Sequence, residues 1–255
     1  MRLRFLGTGT STGVPQIGCT CPTCISTDVH DKRLRASALV SIGDKNLLID
    51  CGPDFRQQII EAGAPSLEAA LLTHSHYDHV GGIDDLRPYC HKKANGFPLY
   101  CRPDVAEDLR NRVPYCFRTH LYPGVPTFDI TEIGDAPFMV DGIKVTPLPV
   151  MHYKLPIVGF RIGRLAYITD AKTIPDSTYR LLYGIDTLVI NALRRKEHLS
   201  HMTLDEAMAA INRIKPRITY LTHFADAIGK QAEVEPGLPD GIRMAYDNLT
   251  IEIPE

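Results

Sequence analysis

The sequence lacks a dominant charge: 30 acidic residues stand against 28 Lys and Arg, a formal net charge of −2. No global field therefore draws the chain to nucleic acid or to an anionic membrane, and any polyanion contact must be local. It lacks a run of roughly 18 apolar residues, the length a membrane-spanning helix requires. Its first residues, Met1-Arg2-Leu3-Arg4-Phe5-Leu6-Gly7, pass from charged to apolar to glycine as an edge strand does. They lack the longer apolar stretch and small-residue cleavage site of a signal peptide. Pro/Gly/Ser-rich linkers, tandem repeats and low-complexity tracts are missing too, so residues 1–255 read as one domain with a sizeable core. Cysteines number seven, an odd count in a chain too large to need disulfide staples, and the cytoplasm is the expected setting.

Short apolar stretches bounded by turn residues predict strands over 3–6, 38–42, 47–49 and 69–72, with Gly43-Asp44-Lys45 as a hairpin turn. Apolar residues near helical spacing predict helices over 55–62, 82–89, 105–112, 174–182 and 203–214. The last opens on Thr203 as an N-cap with Glu206 three residues later. Further strands are predicted over 144–148, 157–162, 165–169, 188–190, 218–221 and 249–253. Such clusters suit two sheets packed face to face with helices outside, and periodicity alone serves an ordinary α/β sheet equally well.

The strongest chemical signal follows the strand at 69–72: Thr73-His74-Ser75-His76-Tyr77-Asp78-His79-Val80-Gly81-Gly82, four metal ligands by type within six residues. Alternate positions of an extended segment face one way, so His74 and His76 can converge on one ion while the turn into the next helix swings Asp78 and His79 towards a second. Gly81 and Gly82 are expected to permit that tight turn. The His-x-His-x-Asp-His stretch resembles the signature of the metallo-β-lactamase superfamily, which implies a four-layer αββα sandwich. His152, Asp170 and His223 each stand just beyond a predicted strand, in the order the resemblance demands. By that resemblance His74, His76 and His152 hold one metal, Asp78, His79 and His223 the other, and Asp170 bridges them. A bridging carboxylate with two metals suits hydrolysis, and an all-N/O donor set suits zinc, manganese or iron.

The superfamily spans lactam, thioester and phosphodiester hydrolases, and other residues narrow the choice. His198-Leu199-Ser200-His201-Met202-Thr203 resembles the His-x-Thr element of the phosphodiesterase branch, which includes transfer-RNA 3′-processing endonucleases. That likeness makes His201 the phosphate contact or general acid, a role imidazole suits because it titrates near neutrality. Asp78, as a ligand, and His201 are the catalytic candidates, and His198 has no Thr two positions on and is given no role. Arg194-Arg195-Lys196 reads as a solvated face. Gly7-Thr8-Gly9-Thr10-Ser11-Thr12-Gly13 resembles the N-terminal loop of the same branch, lacks the Gly-Lys-Ser/Thr ending of a nucleotide loop, and is read as a flexible turn near the site.

Cys19, Cys21 and Cys24 resemble the structural zinc loop of the phosphodiesterases that open phosphoribosyl 1,2-cyclic phosphate in bacterial phosphonate utilisation. That family completes the site with a histidine three positions after the last active-site histidine, where this chain has Asp226. Asp226 or His30 is then the fourth ligand of a tetrahedral site. Cys51, Cys90, Cys101 and Cys116 are expected as buried small hydrophobes, and His30, His91 and His120 otherwise as surface residues. The implied activity is hydrolysis of a small, including cyclic, phosphodiester. A transfer-RNA 3′-processing endonuclease is disfavoured because no Gly/Lys-rich arm is inserted between His79 and His152, and a thioester hydrolase of the glyoxalase II type because of His201 and the cysteine loop. No stable nucleic-acid or membrane partner is expected, and a homodimer is compatible with the sequence.

Overall fold

Successive side chains of a strand point to opposite faces, so a strand apolar at every position needs cover on both sides. Leu47, Ile49, Ala69 and Leu71 join one buried cluster, whereas Leu48, Ala70 and Leu72 join another. The same split divides Tyr167 and Val189 from Ala166, Ile168, Leu188 and Ile190. The computed structural model, which describes residues 1–91, 93, 95–117 and 124–254, supplies that cover as four layers: helices, sheet, sheet, helices. His120 lies outside the described residues.

Strands β1 (Arg2–Gly7), β2 (Ser37–Ile42), β3 (Lys45–Ile49), β4 (Ala69–Leu71), β5 (Phe97–Cys101) and β6 (Phe128–Glu132) build the first sheet. The second holds β7 (Phe138–Val140), β8 (Ile143–His152), β9 (Leu155–Ile162), β10 (Leu165–Ile168), β11 (Thr187–Asn191), β12 (Ile218–Thr222) and β13 (Ile242–Met244), neighbours in chain order. β14 (Thr250–Glu252) returns to pair with β1 at the edge of the first sheet. Pairing is parallel from β3 to β6 and from β10 to β13, and antiparallel elsewhere. Parallel neighbours end on the same side, so the C-terminal ends of β3 and β4, and those of β8, β10, β11 and β12, gather their loops at one edge of each sheet.

On the first sheet, α1 (Phe55–Glu61), α2 (Tyr77–Val80), α3 (Arg87–Cys90) and α4 (Pro103–Arg112) bury Phe55, Ile59, Val80, Tyr89 and Leu109 in the outer cluster. On the second, α6 (Leu204–Ile214) and α7 (Gln231–Val234) do so with Leu204, Ala207, Ile211 and Val234, and α5 (Asp176–Leu181) packs the partly buried Tyr179 and Leu181 against them. Thr203 and Glu206 close a reciprocal capping box at the start of α6, at 3.2 and 2.8 Å, which stabilises that end by about 1 kcal/mol. Among the described residues no helix is long and apolar enough to cross a membrane.

Two expectations need correction. The stretch 82–89 is a 3-10 turn at Ile83–Leu86 followed by α3, because Pro88 lacks the N–H that an unbroken helix would use. Strands β5, β6, β7 and β13 were not foreseen. Three of them are sheet edges, short or rich in polar residues, and β5 contains Pro98, so none carries a clean apolar signal.

Candidate metal centre

Strand ends deliver the chemistry. Asp50 follows β3, residues 74–79 follow β4, His152 closes β8, Asp170 lies just past β10 and His223 follows β12. Asp50, Asp170 and His223 hold φ at 61°, 57° and 58°, and Tyr153, beside His152, at 55°. This left-handed backbone costs a residue with a Cβ about 1–2 kcal/mol, and here it turns the side chains of Asp50, Asp170 and His223 towards the site. The side chain of Asn191 grips both backbone groups of Ala171, at 2.8 and 2.9 Å, and so holds the turn that aims Asp170.

Hydrogen bonds fix the imidazole tautomers. His152 Nδ1 lies 2.8 Å from the Asp170 carbonyl, which can only accept, so Nδ1 carries the proton. His79 Nδ1 likewise donates to Asp50 Oδ2 at 2.7 Å. The Thr73 hydroxyl gives its one proton to Asp50, 2.9 Å away, and must therefore accept from His74 Nδ1 at 3.0 Å. All three rings thus spend Nδ1 on the protein and turn Nε2 inward, the nitrogen left for a metal ion. Sequence reasoning missed Asp50 and Thr73. The available signal was an acid ending the apolar run Leu47-Leu48-Ile49, the same placement as the ligands themselves.

Two donor sets converge. Asp78, His79, Asp170 and His223 bring one donor atom each within 4.8 Å of one another, and so do His152, Asp170 and His201, with Asp170 common to both. The rings of His74 and His76 lie 4.6 Å apart and 5.8 and 5.1 Å from that of His152. His74 is buried, whereas His76 stands at the exposed rim. His201 sits with Nε2 3.0 Å from Asp170 Oδ1, its ring 4.6 Å from His152 and 5.0 Å from His223.

The residues fit a pair of divalent cations. His74 Nε2, His79 Nε2 and both nitrogens of His223 are buried and make no hydrogen bond among the described residues. His79 Nε2 and His223 Nε2 approach Asp170 to 3.2 and 3.0 Å, but off the hydrogen-bond direction. Such orphaned atoms are costly unless something takes up their lone pairs. Burial would raise the Asp170 carboxyl, yet His223 and His79 hold it well below the usual carboxylate range. Burial also opposes a proton on those two rings, and Asp170 outweighs it, keeping His79 well above its ordinary value and His223 at about 9. The carboxylates thus demand positive charge, which metal ions can supply by displacing protons.

The two glycines act through space rather than through turn dihedrals. Gly81 and Gly82 have φ of −65° and −96°, open to any residue, but a Cβ on Gly82 would lie 2.0 Å from the Gly52 carbonyl oxygen. Gly82 N also donates to the Cys51 carbonyl at 2.9 Å, and Cys51 N to that of His79 at 2.7 Å. Gly82→Ala is therefore expected to destabilise the protein by about 3 kcal/mol and to disturb His79. A thermal melt checks this, and an unchanged midpoint would contradict the close approach.

The N-terminal loop is pinned rather than flexible. Thr10 N donates to the Phe224 carbonyl and Phe224 N to that of Thr8, both at 2.9 Å, while Gly9 N donates to Leu34 O at 2.7 Å. The loop buttresses the residue after His223. Beyond it, the sulfurs of Cys19, Cys21 and Cys24 lie 3.4, 3.2 and 3.7 Å from Asp226 Oδ2, one four-donor group. His30 is elsewhere: its Nδ1 meets Asp28 at 2.9 Å and its ring packs on Tyr246. Cys51, Cys90, Cys101 and Cys116 are buried.

A family model described as a beta-lactamase superfamily domain matches residues 45–224. The solved structure of a diphosphatase from the PhnP family superposes with a TM-score of 0.92 at 37% identity, over 99% of this chain and 98% of that one. An octanoyltransferase from Porphyromonas gingivalis is 44% identical over 100% of this chain and 52% of its own length, so the chain spans about half of that relative. A ribonuclease Z from Mycobacterium bovis is 27% identical over 79% of this chain and 83% of its own length. With the sandwich, the His and Asp residues gathered at its strand ends and these matches together, the chain belongs to the beta-lactamase superfamily of hydrolases and, within it, to the PhnP family.

Proposed function

We propose that the protein is a phosphodiesterase that depends on two divalent metal ions and hydrolyses a small phosphodiester, cyclic ones included. The observation that carries this reading is the position of His201, a histidine outside the seven ligand positions whose Nε2 reaches Asp170 Oδ1 at 3.0 Å. His74, His76 and His152 would hold one ion, Asp78, His79 and His223 the other, and Asp170 both. Bound there, zinc, manganese or iron supplies an acidified water and polarises a phosphoryl oxygen.

The chain's own groups do the rest. Asp50 and Thr73 keep the Nε2 atoms of His79 and His74 aimed inward, so little reorganisation accompanies reaction. His201 contacts the phosphate and gives a proton to the leaving oxygen. The backbone bond from Met202 N to Ala171 O, at 2.9 Å, ties its loop to the turn bearing Asp170, and that from Leu193 N to Met202 O, at 3.0 Å, ties it to the segment after β11. Phosphoryl chemistry is also what the names of the diphosphatase and ribonuclease Z relatives describe. The octanoyltransferase keeps acyl chemistry as the second reading, weakened because the match takes up only 52% of that protein.

Hydrolysis of bis(p-nitrophenyl) phosphate beside a thioester and a lactam, with manganese or zinc supplied, tests the proposal. Metal-dependent release from the phosphodiester is expected, falling roughly 100-fold or more in His201→Ala with metal content unchanged. Turnover of the thioester alone, or undiminished turnover without the imidazole, would defeat it.

A further inference from the structure

Of the four buried candidate ligand rings, three are steadied at Nδ1 by a hydrogen bond, to Asp50, Thr73 or the Asp170 carbonyl. The fourth, His223, has no hydrogen bond at either ring nitrogen among the described residues, and its backbone holds the left-handed φ of 58°. A residue with a Cβ keeps that conformation only where its surroundings enforce it. Its ring is therefore placed through the chain, and the grip falls on the next residue. Phe224 N donates to the Thr8 carbonyl and Thr10 N to the Phe224 carbonyl, both at 2.9 Å. The Arg33 guanidinium covers the Phe224 ring, 4.4 Å from its centroid.

Arg33 is buried, and its acceptors are neutral: Thr8 Oγ1 at 2.8 Å, the Ala245 carbonyl at 2.7 Å and Gln231 Oε1 at 2.9 Å. A guanidinium can only donate, so the Thr8 hydroxyl accepts from it and has its own proton left for Asp247 Oδ1, 2.7 Å away. Asp247 Oδ2 in turn accepts from Leu34 N at 2.7 Å. Burial lowers the Arg33 guanidinium to about 10 and raises the Asp247 carboxyl to about 6, so both are charged at neutral pH. Two opposite charges that do not touch are thus joined through one hydroxyl, whose loss would leave each without its partner.

We infer that Thr8 and Arg33 are positioning residues for His223: the threonine hydroxyl bridges the Arg33 cation to the Asp247 anion, and this bridge fixes the loop and the guanidinium that clamp Phe224. The His223 imidazole then needs no hydrogen bond of its own to stay aimed at the metal centre. The metal clause rests on the two-metal reading proposed above; the bridge does not.

Thr8→Val keeps the shape of the side chain and removes the hydroxyl, Thr8→Ser keeps the hydroxyl, and Arg33→Lys keeps the charge without the flat face and the fork. Manganese titration, with the free ion counted by electron paramagnetic resonance, reads the active-centre ions alone, because thiolates disfavour this metal. Thr8→Val and Arg33→Lys are expected to bind one of the two ions roughly 10–100-fold more weakly and to leave the other little changed, as loss of a ligand's support does. Thr8→Ser is expected to bind both as the wild type does. Hydrogen–deuterium exchange of the peptide over residues 219–226 reads the clamp without reference to metal, and should be faster in Thr8→Val and restored in Thr8→Ser. A folded Thr8→Val with unchanged affinities and exchange would overturn the inference. Equal losses in the valine and serine variants, or an equal weakening of both ions, would overturn it too, since general loosening produces those. Should Thr8→Val not fold, Arg33→Lys decides between the same outcomes. If the wild type binds no manganese, the two-metal reading falls and the exchange rates alone decide the bridge.

Discussion

Asp170→Asn is expected to cost the protein at least one of the two active-site metal ions proposed above and roughly 1,000-fold or more in phosphodiester turnover. Lewis-acid stabilisation by a bound metal is worth several kcal/mol, and each 1.36 kcal/mol is a factor of ten. Asparagine retains the shape of the residue. The His152 bond goes to the backbone carbonyl, at 2.8 Å, and the Thr169 hydroxyl, 2.6 Å from Asp170 Oδ2, can still donate to an amide oxygen. What disappears is the charge common to both donor groups. In the metal-free state the same charge holds His79 and His223 above their ordinary values, against the effect of burial. Without it these rings give up their protons at lower pH, with Asp78 still beside both. Metal analysis and rates, with circular dichroism as the folding control, separate the outcomes. A folded variant that keeps two ions and its turnover would show that Asp170 does not bridge.

The seven candidate ligand positions were read from the sequence by where they stand relative to strands, and the fold brings them to one place. His74 and His76 lie in the loop after β4 and Asp78 and His79 in α2 beyond it, whereas His152, Asp170 and His223 stand at or just past the ends of β8, β10 and β12; of these strands β4 and β10 are apolar runs buried throughout. The cover those runs demand also made the four layers legible. What supports these residues was hidden, because Asp50, Thr73 and Asn191 meet partners 20 or more residues away along the chain. Asp50 meets His79 from 29 positions away and Asn191 meets Ala171 from 20, separations that local periodicity does not encode. The edge strands escaped because an edge is kept short and polar to avoid pairing with another chain.

The second large effect is expected at the cysteine group. Cys24→Ser should lower bound zinc by one ion per chain and the melting midpoint by about 10 °C, the shift that roughly 3–5 kcal/mol makes in a chain of this size. Three sulfurs crowd one oxygen of Asp226, at 3.2 to 3.7 Å, and burial pushes the Cys24 thiol up to about 12. Neutral thiols gain little from a carboxylate at such distances, whereas a zinc ion would bind all four as anions in a closed tetrahedron. Asp226→His should keep both zinc and stability, since imidazole supplies the same single donor; Asp226→Ala should weaken zinc retention. Asp226 lies three residues past His223, and the Gly7 loop is bonded to Phe224 between them, so releasing the cysteine loop should also loosen one active-site ligand. Turnover in Cys24→Ser should fall severalfold even with the active-site metals replenished. A serine variant with unchanged zinc and midpoint would mean that the three thiols meet Asp226 through hydrogen bonds alone.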